Sequence, residues 1–213
     1  SASKYSSMGG FVATSNLQAG KLCGLTVAGT HAHAFVQAYS SLDEVTENVV
    51  EDRKTGESVN VLPRVLEYRT KLSQENSSYR TTNDGELAAF IAYATSFPET
   101  FLCLIDTYNT LRSGLLNFVL VAMVLDDLGY QPAGVRLDSG DLAYLSMECA
   151  IFFQNLSCDR PIFSECSIVA SNGSTSSGRA AVRTSSATRN RASATITLIS
   201  AARCVCASLQ SFS

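Results

Sequence analysis

Short apolar runs alternate with longer amphipathic stretches along residues 1–171. Short apolar runs bounded by turn residues are typical of buried strands, and apolar positions that recur every three to four residues are typical of helices. The pattern predicts five strands, which end near Asn16, Thr30, Asp106, Asp138 and Ser171. Between and after these strands it predicts helices at about 31–41, 84–97, 111–128 and 140–156.

Strands that are apolar throughout and alternate with helices are typical of a parallel sheet that is covered on both faces. Five β/α units therefore predict an α/β protein whose sheet is an incomplete parallel (β/α) barrel. In such barrels the chemistry collects at the carboxyl ends of the strands. The candidate site is the set of polar residues at or just after those ends, namely Asn16, Thr30, His33, Asp106, Arg136 and Asp138.

Two segments interrupt this rhythm. Residues 41–83 are polar and charged, and we interpret them as a surface excursion with one helix at about 62–73. Residues 172–213 are rich in Ser, Thr and Arg and contain no acidic residue, so they carry the opposite charge to the rest of the chain. We predict that this basic tail is disordered or non-native. Because it has five Arg, no Lys and one aromatic residue, we predict no nucleic-acid partner.

Composition places the chain among globular proteins. It has 213 residues, of which 46% are hydrophobic and 16% charged, enough to bury a core as one domain. The most apolar run is interrupted by Asn117 and Asp126, so it predicts a buried helix with Gly129 as its C-cap, and we predict no membrane partner. No secretory leader is visible, and the seven cysteines include no CxxC pair. We therefore expect reduced thiols and a cytoplasmic location.

Both histidines of the chain stand in one His-X-His pattern, His31 and His33. They could be two ligands of a metal hydrolase, with Asp106 and Asp138 supplying oxygens, since imidazole suits zinc. They could equally be structural, one of them capping the following helix. The third possibility is that one histidine is itself a nucleophile. Asp106 and Asp138 can likewise be interpreted either as functional groups or as helix N-caps.

Two longer motifs bear on this question. The first is "GTHAH" at 29–33, and the second is the run "DTYNTLRSGLLN", followed by "RLDSGDL". Both resemble motifs of the nicotinate phosphoribosyltransferase family, in the family's order, and the resemblance covers about residues 1–171. The motifs of the related nicotinamide-using enzymes resemble these two sequences less well. The resemblance implies a barrel of the type II phosphoribosyltransferase kind and a role in NAD biosynthesis.

The implied reaction joins nicotinate to 5-phosphoribosyl 1-diphosphate, with ATP as co-substrate and Mg²⁺ as cofactor. By the motif match, His33 is the residue that becomes phosphohistidine, and His31 falls at a variable position with no catalytic role. The resemblance also implies nicotinate contacts from Thr30, Arg136 and Asn16. It implies that Asp106 and Asp138 are catalytic and hold Mg²⁺, and that family members form homodimers. Asp141 is interpreted as a residue of the first helical turn.

The chain also departs from the family pattern. A tyrosine-bearing upstream region has no counterpart, and no G-x-G-T turn follows the strand near Ser171. We therefore expect a central fragment with an unrelated tail from about residue 172, poorly stable and inactive when isolated. The alternative function is that of a truncated, non-catalytic member of the family that at most binds a full-length subunit.

Overall fold

Alternating helices and short strands make up the computed structural model, which describes residues 2–171 and 179–182. The helices are α1 (Ala2–Met8), α2 (Leu17–Cys23), α3 (His33–Gln37), α4 (Val61–Glu75), α5 (Asp84–Ser96), α6 (Leu115–Asp127) and α7 (Leu142–Leu156). The strands are β1 (Val49–Glu51), β2 (Ser58–Asn60), β3 (Leu102–Leu104), β4 (Gly134–Leu137), β5 (Ser167–Ser171) and β6 (Arg179–Val182). A π-helical turn, Thr110–Gly114, leads directly into α6.

The larger sheet has the strand order β3-β4-β5-β6. Strands β3, β4 and β5 run parallel, with Leu104 opposite Arg136 and Arg136 opposite Val169. Strand β6 pairs with β5 in the antiparallel sense, and β1 and β2 form a separate antiparallel pair. The fold is therefore mixed α/β with a small parallel sheet, and three of the five predicted strands are confirmed.

The two strands predicted near Asn16 and Thr30 are wrong. In their place Thr14 and Val27 form one isolated parallel bridge, in which the Thr14 carbonyl accepts a 3.0 Å hydrogen bond from the Ala28 N–H. Apolar burial is what normally holds a strand in a sheet, and here Val12 is 90% exposed. Without that burial, the pairing does not extend beyond one residue on each side.

Helix α6 forms the centre of the core and is buried all round, from Leu115 to Leu125. It contacts α4 and α5. Gly129 follows it with φ 84°, its N–H donating to the Asp126 carbonyl, while the Tyr130 N–H donates to the Leu125 carbonyl. This is the Schellman pattern, in which a residue in the left-handed region closes the helix. The predicted helix and its glycine cap are confirmed, and helices α5 and α7 also match their predicted ranges closely.

The segment 41–83 packs more deeply than a surface excursion would. Helix α4 occupies 61–75, as predicted, and packs against α6. The segment contributes five buried side chains to the core, namely Val45, Val50, Val61, Val65 and Tyr79. The apolar positions of α4 lie four residues apart, which places them on one helix face. The excursion is therefore partly a core layer.

Helix α3 covers 33–37, shorter than the predicted 31–41. The predicted disorder of 172–213 lies outside the described residues, apart from β6 at 179–182. None of the described helices is long and apolar enough to cross a membrane.

Candidate active site

The carboxyl ends of β3 and β4 carry the two candidate acids. Because these strands are parallel neighbours, their ends meet at one edge of the sheet. The Asp106 side chain is 2% exposed, and its Oδ2 accepts hydrogen bonds from the N–H of Asp138 at 2.8 Å and the N–H of Ser139 at 2.6 Å. The Ser139 hydroxyl donates to the same oxygen at 2.7 Å. Asp106 therefore ties the loop after β4 to the end of β3.

Neither acid caps a helix. Asn109 caps the π-helical turn by accepting from the Arg112 N–H, and Asp141 caps α7 by accepting from the Tyr144 N–H. The helix-capping interpretation of Asp106 and Asp138 is therefore wrong. Asp141, in contrast, acts at the helix start, where it was predicted.

His33 faces both acids from the start of α3. Its Nδ1 lies 3.0 Å from the Thr107 Oγ1, a hydrogen bond that orients the ring. Its Nε2 lies 3.9 Å from the Asp106 Oδ1 and 4.0 Å from the Asp138 Oδ2. The imidazole is 36% exposed, so a ligand in solution can reach it. The structure thus brings together His33, Asp106 and Asp138.

His31 has a different environment, although it lies two residues away. It is buried, and its Nε2 accepts a 3.1 Å hydrogen bond from the Leu104 N–H. Its ring packs against Phe35, Phe90 and Tyr93. Burial lowers the pKa of His31 to about 4, so the ring is neutral at pH 7. The structural interpretation therefore holds for His31.

Arg136 and Thr30 meet at the backbone of His31. The Arg136 guanidinium donates to the His31 carbonyl at 3.4 Å, and the Thr30 hydroxyl donates to the same oxygen at 3.3 Å. Among the described residues, the buried Nε of Arg136 finds no acceptor. A buried N–H without an acceptor costs free energy, so this guanidinium is suited to receive an anionic group.

Asn16 lies apart from this cluster. Its side chain caps α2 by accepting from the Ala19 N–H at 3.0 Å. In the described part of the chain, no hydrogen bond or ion pair joins it to the other candidate residues. The bridge between Thr14 and Val27 nevertheless sets its segment beside the one that leads to Thr30.

Sequence reasoning missed two residues of the site, Thr107 and Ser139. Both stand inside the quoted motifs, each directly after a predicted acid. A hydroxyl following a strand-end carboxylate is the signal that could have identified them.

The metal-hydrolase interpretation of the two histidines finds no support in this geometry. The Nε2 of His31 is already occupied by a backbone N–H. Within residues 2–171 and 179–182, no group of three or more His, Cys, Asp or Glu side chains is arranged to hold a metal ion.

Comparison with known proteins relates this site to one group of enzymes. No protein-family model matches the chain. Nicotinate phosphoribosyltransferase 1 of Arabidopsis thaliana is 47% identical over 179 residues, which cover 81% of this chain and 32% of that protein. The nicotinate phosphoribosyltransferase of Caenorhabditis elegans is 46% identical over 80% of this chain and 32% of its own length.

A solved structure agrees with the sequence matches. The crystal structure of human nicotinic acid phosphoribosyltransferase superposes with a TM-score of 0.69 at 39% identity, covering 81% of this chain and 35% of the human one. The chain thus spans about a third of the length of the relatives it matches. Over about four-fifths of its own length, it belongs to the nicotinate phosphoribosyltransferase family.

Proposed function

We propose that this chain carries the phosphohistidine site of a nicotinate phosphoribosyltransferase acting in NAD biosynthesis. The reaction converts nicotinate, 5-phosphoribosyl 1-diphosphate and ATP into nicotinate mononucleotide, diphosphate, ADP and phosphate. The observation that carries the proposal is the accessible His33 imidazole, held by Thr107 and facing Asp106 and Asp138. The family relationship supports the same reaction.

His33 acts as the nucleophile toward ATP. A neutral imidazole nitrogen attacks the γ-phosphorus, the bond to the departing oxygen of ADP breaks, and phosphohistidine forms. Water later breaks the P–N bond, which releases phosphate and restores the neutral ring. The hydrogen bond to Thr107 holds the ring in one orientation for both steps. Phosphorylation places new negative charge beside two carboxylates, and this is how ATP hydrolysis is coupled to turnover.

Nicotinate binding requires a cation for its carboxylate. Arg136 supplies it, since its fork geometry suits a carboxylate and its Nε is without an acceptor among the described residues. Thr30 shares the carbonyl that Arg136 contacts and lies beside it. Asn16 is the third contact, from the neighbouring segment. With the carboxylate held, the ring nitrogen attacks the ribose carbon and diphosphate leaves.

The two acids fit Mg²⁺ unequally. Mg²⁺ is commonly bound by one or two carboxylates together with substrate phosphates, where it neutralises the charge of the leaving diphosphate. The Asp138 side chain is 38% exposed and accessible to such an ion. One oxygen of Asp106 already accepts three hydrogen bonds, which leaves its Oδ1 for the ion. Asp138 would thus be the main ligand of the ion, while Asp106 would be a second ligand and also holds the loop in place.

The remaining family properties belong to the same proposal. The parallel strands β3, β4 and β5 form part of a (β/α) barrel of the type II phosphoribosyltransferase kind, with the site at their carboxyl ends. The active enzyme is a homodimer in the cytoplasm.

A phosphorylation assay tests the proposal. The purified chain is incubated with γ-labelled ATP and Mg²⁺ beside His33→Ala and a matched His31→Asn control. The expected inactivity of the isolated chain concerns the complete reaction, whereas labelling tests the first step alone. We expect acid-labile label on the wild type and none on His33→Ala, because only His33 faces the acids. The His31 variant, measured in its folded fraction, keeps the label. Label that persists on His33→Ala would overturn the assignment. Formation of nicotinate mononucleotide from the complete substrate mixture tests the second half of the reaction.

A non-catalytic role in binding a full-length subunit is the second candidate. It is favoured by the exposed apolar side chains of the first segment: Tyr5, Met8, Phe11, Val12, Leu17 and Leu22. Contiguous exposed apolar surface is typical of interaction sites. Size-exclusion chromatography of the chain mixed with a full-length family member separates the two functions. Co-elution without any labelling of His33 supports the binding role.

A further inference from the structure

A buried carboxyl group lies behind the candidate site, on a helix that contributes nothing to it directly. Glu86 of α5 is 0% exposed. Its Oε2 accepts a 2.5 Å hydrogen bond from the Ser113 hydroxyl and a 3.1 Å bond from the Asn117 amide. Ser113 belongs to the π-helical turn and Asn117 to α6, so the contact joins three elements. Both partners stand in the quoted "RSGLLN" motif, to which the proposed reaction gives no role.

The hydrogen bonds resemble those of a helix-capping box, except that the Ser113 hydroxyl mediates the contact between the Glu side chain and the backbone of the capping residue. Asn83 caps α5 by accepting from the Glu86 N–H at 2.8 Å. In an ordinary capping box the Glu side chain would accept from the backbone N–H of the capping residue. Here the Asn83 N–H donates to the Ser113 Oγ at 2.9 Å, and that hydroxyl in turn donates to Glu86. The start of α5 is therefore fastened to the π-helical turn.

That turn is in direct contact with the end of β3. A Cβ atom placed on Gly114 would overlap the carbonyl oxygen of Ile105, so only glycine permits this approach. Ile105 immediately precedes Asp106, which holds the loop after β4, and Thr107, which holds the His33 ring. Any shift of the turn is therefore transmitted to both residues through rigid backbone contact.

The electrostatic setting is unusual for a capping residue. Burial raises the pKa of Glu86 to about 7, the hydrogen bonds from Ser113 and Asn117 oppose that rise, and the charge of Asp106 adds to it. The other titratable group facing Glu86 is Cys103 of β3, whose pKa is raised by burial and by Glu86. A solvent-exposed Glu would cap the helix without any desolvation cost. Capping alone therefore does not account for its burial.

We propose that Glu86 is a positioning residue for the His33 site, acting through Ser113 on the π-helical turn that follows Asp106 and Thr107. The proposal rests on the phosphohistidine function in one respect only, namely the consequence for labelling. The positional claim concerns the carboxylate of Asp106 and its hydrogen bonds to the loop after β4. It can be tested whether or not the chain reacts with ATP.

The test uses the full 213-residue chain with Glu86→Ala, Glu86→Gln and a control, Thr95→Val. Thr95 lies on the same helix and donates only to the Ile91 carbonyl, away from the network. Amide hydrogen exchange is measured at Asp138 and Ser139, whose N–H groups donate to Asp106. We expect exchange about tenfold faster in Glu86→Ala, the factor that corresponds to one lost hydrogen bond. The control should leave these two amides unchanged.

The glutamine variant provides the rescue. Its amide oxygen can still accept from Ser113 and Asn117, so protection of both amides should return to the wild-type level. If Glu86→Ala does not fold, Ser113→Ala removes the same connection and should produce the same faster exchange. Wild-type exchange at both amides in a folded Glu86→Ala or Ser113→Ala chain would overturn the proposal, since it would leave Glu86 a local helix cap.

Labelling by γ-labelled ATP separates this proposal from the function on which it partly rests. Displacement of a site by about 1 Å can cost about 100-fold in rate, so we expect a loss of that size in Glu86→Ala and recovery in Glu86→Gln. If the wild type takes no label, the proposed function fails for this chain, while the exchange data still decide the role of Glu86.

Discussion

Residues 2–30 and residues 84–137 share one folded unit but are packed very differently. In the first segment Gly20 is the only buried residue, and large apolar side chains such as Phe11 and Leu22 face solvent. In the second, α5, β3, α6 and β4 bury almost every apolar side chain. The candidate site draws on both segments. Asn16 and Thr30 belong to the first, Asp106 and Arg136 belong to the second, and Asp138 directly follows the second.

This difference in packing distinguishes the site residues that are fixed by the core from those that lie on a segment without a core. Asp106 is fixed by three hydrogen bonds at the end of a core strand. Thr30 and Asn16 are held by local hydrogen bonds in a segment with no core of its own. Stability and placement of the acids therefore depend on the second segment, and the first supplies two of the proposed substrate contacts.

The largest contrast is expected from truncating one phenylalanine in each segment. Phe118 is fully buried and stacks on Phe101, so Phe118→Ala should lower the free energy of unfolding by about 3–5 kcal/mol. Phe11 is exposed, and Phe11→Ala should change the free energy of unfolding by no more than about 0.5 kcal/mol. Urea unfolding followed by circular dichroism measures both. Equal losses would show that the first segment also buries its phenylalanine in a core.

The next largest effect is a pH dependence of the free energy of unfolding, to which two buried groups, Glu86 and His31, contribute with opposite signs. Between pH 4.5 and about 7, folded Glu86 keeps a proton that the unfolded chain has released, so its contribution to stability falls as pH rises. Between pH 6.5 and about 4, unfolded His31 binds a proton that the folded chain does not, so its contribution falls as pH drops. Each contribution is on the order of 3 kcal/mol.

Glu86→Gln removes the first of these contributions and reveals the second. We expect the variant to gain stability from pH 4.5 to 6.5 and then to level off, whereas the wild type is flatter and weakens toward pH 7. Urea unfolding at pH 4.5, 6.5 and 8 measures this, with Thr95→Val as the control that keeps the wild-type profile. A glutamine variant with the wild-type profile would contradict the assignment of the protonated group to Glu86.

A smaller effect is expected from a single added methyl group. Gly114→Ala places a Cβ against the Ile105 backbone, which cannot move aside, and should cost about 1–3 kcal/mol. Gly9 directly follows the exposed helix α1. In Gly9→Ala the added Cβ meets the Ser6 carbonyl at 3.3 Å and the Tyr5 carbonyl at 3.6 Å, and the substitution should cost less. Thermal unfolding of both variants compares the two segments directly. The reverse order would show that the π-helical turn is free to move.

The smallest effect on stability, within about 0.5 kcal/mol, is expected for Asp138→Asn, because the side chain is partly exposed. Its effect should appear instead in the Mg²⁺ concentration needed for labelling of His33, which should rise. Asp141→Asn is the matched control, since Asp141 caps α7 and should leave the Mg²⁺ requirement unchanged. An unchanged requirement in Asp138→Asn would remove Asp138 from the proposed metal site.

The sequence predicts best the features that depend on neighbours in the chain. Helix α6 and its Gly129 cap follow from a long apolar run and one glycine. The ends of β3 and β4 follow from short apolar runs that stop at acids. The first two predicted strands are wrong, because the sequence does not show that apolar side chains such as Phe11 and Val12 have no apolar surface to pack against.

Features that depend on distant contacts could not be predicted. Glu86 stands third after a capping Asn83, a pattern that indicates an exposed capping box. Its burial comes from Ser113 and Asn117, about thirty residues later in the chain, and depends on how α5 packs against α6. The hydrogen bonds from Asp138 and Ser139 to Asp106 likewise require the two strands to be neighbours. The family motif identifies these residues but not the contacts among them.

One contact of His31 also bears on how the protein behaves in concentrated solution. Strand β3 is the edge of its sheet, and the Leu104 N–H that points away from β4 is taken by the His31 imidazole. An edge N–H without an acceptor is a template for adding a strand from another molecule. The imidazole loses its lone pair when it is protonated, near pH 4. We therefore expect strand pairing between molecules at this edge to be more frequent in acidic buffers than in neutral ones.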